Sequence, residues 1–193
     1  MTDESSFDTQ FGSELYDAAT QALVKTADAL VGKEHVLLYV SAHWCPPCRR
    51  FTPMLIQLYK KLKAQNPNAL ELVFVSLDHS ESEYKEYVSE MPWKCVPFKS
   101  GDGKDTAEIR QKLAMKYGAE GIPHLVVLGP DRRIITKDGT EEVQMDPEGV
   151  NFPWKPKAFK DIWPDKVLTK DGLVNSSTLD KKYLMLYFSA HCE

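Results

Sequence analysis

Apolar residues fall along this chain in three patterns: continuous runs, alternating runs and helix-spaced faces, with polar breaks between them. Val36-Leu37-Leu38-Tyr39-Val40 is continuous and apolar, the pattern of a strand buried on both faces of a central sheet. The helix-spaced set Phe51, Leu55, Leu58 and Leu62 follows, predicting a helix to about Ala64 that stops at Asn66-Pro67-Asn68. Leu70 to Leu77 alternates, Leu72, Phe74 and Ser76 against Val73, Val75 and Leu77, and reads as the next strand. Ser80 with Glu83 has the spacing of a capping box, opening a helix whose inner face is Tyr84, Tyr87, Val88 and Met91. After the Gly101-Asp102-Gly103 turn, Asp105 with Glu108 starts another helix, buried through Ile109, Leu113 and Tyr117 and ended by Gly118. Leu125–Leu128 and Arg133–Thr136 flank Gly129-Pro130-Asp131-Arg132 as a β-hairpin. Strands separated by helices and closed by a hairpin predict an α/β layer fold, a mixed central sheet with helices on both faces. Between Gly12 and Gly32 the pattern suits either one helix face or short strands.

Chemistry concentrates where the first buried strand becomes a helix, at Trp44-Cys45-Pro46-Pro47-Cys48-Arg49-Arg50. Pro46 and Pro47 fit a first helical turn, whose N–H groups have no intrahelical partner. Pro53 lies deeper, removes the bond to the Arg49 carbonyl and predicts a kink. A cysteine at a helix N-terminus meets unpaired N–H groups and the positive end of the helix dipole, and Arg49 and Arg50 add charge. Cys45 is therefore the expected exposed nucleophile, with a pKa in the range of roughly 3.5–7.5 found in such settings. Cys48, one turn in and less exposed, suits a resolving thiol. A close cysteine pair can also be half a zinc site, but Cys95 and Cys192 lack partners at ligand spacing, so no metal is expected. Cys95 reads as a small buried hydrophobe, and Asp78, His79, Glu81 and Glu83 as a solvated helix start.

Composition narrows this further. The 193 residues suit one full core and something extra, and a net charge of −4 leaves no electrostatic footprint for nucleic acid or an anionic membrane. No apolar run reaches membrane-spanning length and the N-terminus lacks a secretory pattern. Four unevenly spaced cysteines in such a chain point to reversible thiol chemistry in a reducing compartment, so a cytoplasmic location is expected.

The ordered motifs Trp44-Cys45-Pro46-Pro47-Cys48-Arg49, Phe51-Thr52-Pro53, Met91-Pro92-Trp93, Gly121-Ile122-Pro123 and Phe152-Pro153-Trp154 resemble the tryparedoxin and nucleoredoxin branch of the thioredoxin superfamily. The resemblance spans Gly12 to Pro156 and implies a thioredoxin fold, with a hairpin and short helix between Gly12 and Gly32. It implies a cis Ile122–Pro123 bond facing Cys45, where the Ile122 backbone pairs with an extended substrate. Trp44, Pro46, Pro47, Ile122 and Pro123 are then the substrate-binding residues and Cys45 and Cys48 the catalytic pair. Where thioredoxin has a buried acid, six residues before its first cysteine, this chain has Tyr39. His124 reads as a partly exposed strand-end histidine, with tuning of Cys45 as the alternative.

Leu184-Met185-Leu186-Tyr187-Phe188-Ser189-Ala190-His191 repeats Val36 to His43, so a second copy of the active-site strand begins and no second Cys-x-x-Cys follows. The expected organisation is a loosely ordered 1–11, a thioredoxin-like domain over 12–156, and a linker with an incomplete second repeat over 157–193. This fits a piece of a multidomain protein; the alternative is a tail that adds an edge strand. The expected function is a thiol–disulfide oxidoreductase that reduces protein disulfides through Cys45 and Cys48 without a bound cofactor. A reductase or low-molecular-weight dithiol would supply its electrons. The alternative is a nucleoredoxin-like redox-sensing module that regulates partner proteins.

Overall fold

The computed structural model describes residues 7–170, 172–179, 183, 185 and 187. The chain divides between Lys155 and Pro156 into two compact units. The first opens with α1 (Phe7–Phe11), a hairpin of β1 (Glu14–Asp17) and β2 (Ala22–Lys25), and α2 (Thr26–Leu30). The ambiguous stretch thus takes the form that the family resemblance implies. Then come β3 (His35–Ser41), α3 (Pro46–Gln65), β4 (Leu70–Ser76), α4 (Glu81–Val88), β5 (Lys94–Cys95), α5 (Ala107–Lys116), β6 (His124–Leu128), β7 (Ile134–Thr136) and α6 (Gly139–Met145).

These strands form one seven-stranded sheet in the order β2-β1-β5-β4-β3-β6-β7. β3 runs parallel to β4 and antiparallel to β6, so the sheet is mixed and the strand leading to the cysteines lies inside it. Successive β3 side chains point to opposite faces. Leu37 and Tyr39 pack with Phe51, Leu55 and Leu58 of α3 and with Tyr84 and Tyr87 of α4. Val36, Leu38 and Val40 pack with Phe11, Leu30, Leu113 and Tyr117. Burial on both faces explains why this strand reads as a continuous apolar run.

Every residue of β4 is buried, so its two alternating sets face two cores. Leu72 and Phe74 belong to one core and Val73 and Val75 to the other. Helix α5 starts at Ala107 behind an N-cap Thr106 that makes no side-chain cap, and its buried face centres on Arg110, with Ile109 only partly buried. Arg110 is 4% exposed; its guanidinium stacks 4.3 Å from the Phe98 ring centroid and Nη1 donates to Ser76 O at 3.1 Å. The Ser80 capping box of α4 forms as expected, with Glu83 N donating to Ser80 Oγ at 3.2 Å and Ser80 N to Glu83 Oε2 at 3.1 Å.

Past α6, Asp146 accepts hydrogen bonds from Val150 N, Asn151 N and the Trp154 indole at 2.9, 2.8 and 3.0 Å. This seats the buried Trp154 after a cis Phe152–Pro153 bond, which joins cis Ile122–Pro123. The second unit contains α7 (Phe159–Ile162), a hairpin of β8 (Lys166–Thr169) and β9 (Gly172–Asn175), and a 3₁₀ turn over Ser176–Leu179. The repeated segment 184–191 lies outside the described residues, apart from Met185 and Tyr187, which are exposed and without regular structure. Among the described residues, no helix is long and apolar enough to cross a membrane.

Candidate active site

Four residues after β3 ends, Cys45 occupies the N-cap of α3 with an extended backbone, φ −94° and ψ 107°. Cys45 and Cys48 are joined in a disulfide with their Cα atoms 5.3 Å apart. Proline at the first two helical positions leaves no N–H there, so the Cys48 N–H is the first helical donor, and it points at Cys45 Sγ over 3.3 Å. The sulfur thus takes the place of the oxygen in an ordinary N-cap. Cys45 is less exposed than its position predicts, at 4% against 0% for Cys48, with Ala42, Leu77 and Ile122 packed around the pair. Cys45 Sγ lies 3.8 Å from the Ile122 carbonyl oxygen, next to the cis Pro123. The helix N-terminus, the cis-proline loop and the disulfide, 77 residues apart in sequence, therefore meet at one sulfur.

Below the pair lies a cluster of buried hydroxyls. Thr52 Oγ1 donates to Cys48 O at 3.0 Å and lies 2.9 Å from the Tyr39 hydroxyl and 2.6 Å from the Tyr87 hydroxyl, which lies 3.0 Å from Ser41 Oγ. A threonine hydroxyl has one proton and two lone pairs. With that proton committed to Cys48, both tyrosines must donate to Thr52 and Ser41 must donate to Tyr87. Burial, foremost, holds the Tyr39 hydroxyl well above its usual range. At the position of thioredoxin's buried acid, this chain has a neutral donor that braces the helix carrying Cys48.

Trp44 is 46% exposed, which makes it a surface group and not a core aromatic. Its indole donates to Leu77 O at 3.2 Å and its ring lies nearly parallel to His79, centroids 5.4 Å apart and 7° between planes. Pro46 and Pro47 are exposed beside it, and Ile122 and Pro123 half-buried. Arg49 and Arg50 are exposed. His124 Nε2 bonds to Tyr117 O at 3.1 Å, the contact of a strand-end histidine. Cys95 is a free, fully buried thiol whose pKa is pushed up, first by burial. Asp78 does not belong to a solvated helix start: it is 5% exposed, and its carboxylate accepts from His43 N at 2.6 Å and Ser76 Oγ at 2.7 Å. Among the described residues no cluster of His, Cys, Asp and Glu could hold a metal ion.

The described geometry has known counterparts. Residues 32–134 match a family model described as thioredoxin-like. Nucleoredoxin of Homo sapiens is 46% identical over 128 residues, which cover 66% of this chain and 28% of that protein, so the chain spans under a third of this relative. Tryparedoxin of Trypanosoma brucei brucei is 41% identical over 142 residues, 70% of this chain and 92% of that protein. The structure of tryparedoxin II complexed with glutathionylspermidine superposes with a TM-score of 0.67 at 32% identity, covering 79% of this chain and 100% of that one. Since the family model spans residues 32–134 of 193 and a tryparedoxin aligns over 92% of its own length, the chain belongs to the thioredoxin-like family of oxidoreductases.

Proposed function

We propose that the protein reduces protein disulfides by cycling Cys45 and Cys48 between dithiol and disulfide. The observation that carries this reading is the Cys45–Cys48 bond at the start of α3, with the Cys48 N–H directed at the outer sulfur. In the reduced protein, the Cys45 thiolate attacks one sulfur of the substrate disulfide, forming a mixed disulfide and releasing one substrate thiolate. Cys48, as thiolate, attacks Cys45 Sγ, forms the internal disulfide and releases the second substrate sulfur as a thiolate. Two electrons pass from protein to substrate, and a donor returns them.

Trp44, Pro46 and Pro47 adjoin Cys45 in the chain, and Ile122, whose carbonyl oxygen faces its sulfur, precedes Pro123; these five residues form the substrate platform of this reading. The donor is a reductase or a low-molecular-weight dithiol; the tryparedoxin solved with glutathionylspermidine supports the second. No bound cofactor takes part, and the cytoplasm and nucleus are the proposed locations. Likeness to nucleoredoxin favours a second reading, a redox-sensing module whose dithiol state controls a protein partner.

Turnover of a protein disulfide separates the two readings. Cys45→Ser is expected to abolish it, and Cys48→Ser to accumulate mixed disulfides through Cys45, visible on non-reducing gels. Turnover persisting in Cys45→Ser rules out the catalytic assignment. Absent turnover in the wild type, with partner binding only in the reduced form, establishes the sensor.

A further inference from the structure

The register of the sheet sets Ser41 of β3 opposite Ser76 of β4. Two residues beyond each, His43 and Asp78 face one another, and the Asp78 carboxylate accepts the His43 N–H at 2.6 Å. Its second oxygen accepts from Ser76 Oγ at 2.7 Å, and Ser76 Oγ accepts from Asp78 N at 2.9 Å. Neighbouring bonds, Leu77 N to Ser41 O at 2.9 Å and the Trp44 indole to Leu77 O at 3.2 Å, tie the same two segments together. The chain entering the redox turn is therefore moored to residues 76–78.

An asparagine could make the bond to His43 equally well, so what distinguishes a carboxylate here is its charge. A buried charge without a bonded cation is costly, and such groups concentrate at functional sites. Burial, foremost, raises the Asp78 pKa, against the opposing hydrogen bonds from Ser76 and His43. The charged groups around it are the His43 ring, Glu83 of α4, and Arg110 with Asp105 at the α5 end, where Arg110 donates to the Ser76 carbonyl. None of these donates a hydrogen bond from a charged group to the carboxylate.

We infer that Asp78 is a positioning residue of the redox turn, holding the His43 backbone in place and setting through its charge how readily Cys45 becomes a thiolate. The inference rests on Cys45 as the reacting thiol. Cys45 is two residues from His43, a span of at most about 7 Å of chain, which puts the carboxylate within about 10 Å of the Cys45 backbone. Two like charges at that distance, with an effective dielectric constant of about 20, displace each other's titration by about one pH unit. The carboxylate thus opposes the Cys45 thiolate, disfavours the reduced form and makes the dithiol a stronger reductant. Tyr39 leaves β3 without a carboxylate, and β4 supplies one from the other side of the turn.

The test is the pH dependence of Cys45 alkylation by iodoacetamide in the reduced full chain, read by mass spectrometry. Asp78→Asn is expected to lower the midpoint by about one pH unit and to shift equilibrium with glutathione toward the dithiol by up to about tenfold. Glu71→Gln, which removes a buried carboxylate at the far end of β4, is expected to leave the midpoint in place. An unmoved midpoint in Asp78→Asn overturns the inference. In the wild type, the Asp78 carboxyl ¹³C shift is expected to show a second inflection at the Cys45 midpoint in the reduced protein and none in the disulfide. Its absence overturns the inference even if the variant fails to fold. Thiols alkylate whether or not the protein turns over a substrate, so failure of the reductase reading leaves this measurement interpretable.

Discussion

At the scale of single residues, Thr52 does more for the site than its place in the sequence shows. Its hydroxyl is the acceptor for Tyr39 and Tyr87 and the donor to Cys48 O, all inside the core. Thr52→Val removes the shared acceptor of two buried tyrosine protons and leaves them only Ser41 and each other, whereas Tyr39→Phe removes one donor and strands nothing. Urea unfolding is expected to show a loss of about 2–4 kcal/mol for Thr52→Val and only about 1 kcal/mol for Tyr39→Phe. Cys45 and Cys48 could be recognised directly, because their chemistry depends on a spacing of three residues and on the helix they start. Asp78 could not, because its partner His43 lies 35 residues away and meets it only through the pairing of β3 with β4. A polar residue just ahead of Ser80 and Glu83 is indistinguishable in sequence from the rest of an exposed helix start.

Among the elements, those with strong local signals appear where the pattern places them: β3, α3 with prolines in its first turn, and α4 with its capping box. α5 was legible as a helix but not in its buried face, since Arg110 counts as polar until Phe98 and the Ser76 carbonyl are beside it. α6 depends on a contact that no local rule reveals. A Cβ on Gly139, at its start, would lie 2.6 Å from the Leu125 carbonyl oxygen of β6, one residue beyond His124. Gly139→Ala must push α6 off the sheet, and thermal unfolding is expected to show a loss of about 1–3 kcal/mol. The helix carries buried Val143 into the core that contains Tyr39 and Trp154.

For the molecule as a whole, pH acts through carboxylates carried by separate elements, Asp17 at the end of β1 and Asp146 after α6. Burial raises the Asp146 pKa, but the donors from Asn151, Trp154 and Val150 outweigh it and bring it below 3.8. Asp17 behaves alike, its burial outweighed mainly by Lys94. A carboxyl with a lowered folded pKa binds fewer protons folded than unfolded, so its contribution is complete above the unfolded value and vanishes as pH falls through the folded one. Thermal midpoints followed by circular dichroism are therefore expected to hold toward pH 4 as far as these groups are concerned and to drop below it. In Asp146→Asn, stability at neutral pH should be lower and the acid loss shallower. Asp78 has the opposite sign: its raised pKa means that the folded state gains stability as pH falls from the raised value toward 3.8.

Residue order alone was enough for the α/β layering, the strand-to-helix junction and the cysteine pair, since periodicity, capping and a three-residue spacing are short-range properties. The fold supplied what depends on long-range pairing: which carboxylate lies under the redox turn, which hydroxyls brace Cys48, and how little of Cys45 reaches solvent. The Cys45-Pro46-Pro47-Cys48 motif is thus a narrower object than its spacing suggests, a nearly buried sulfur met by one helical N–H, one cis-proline loop and one moored turn.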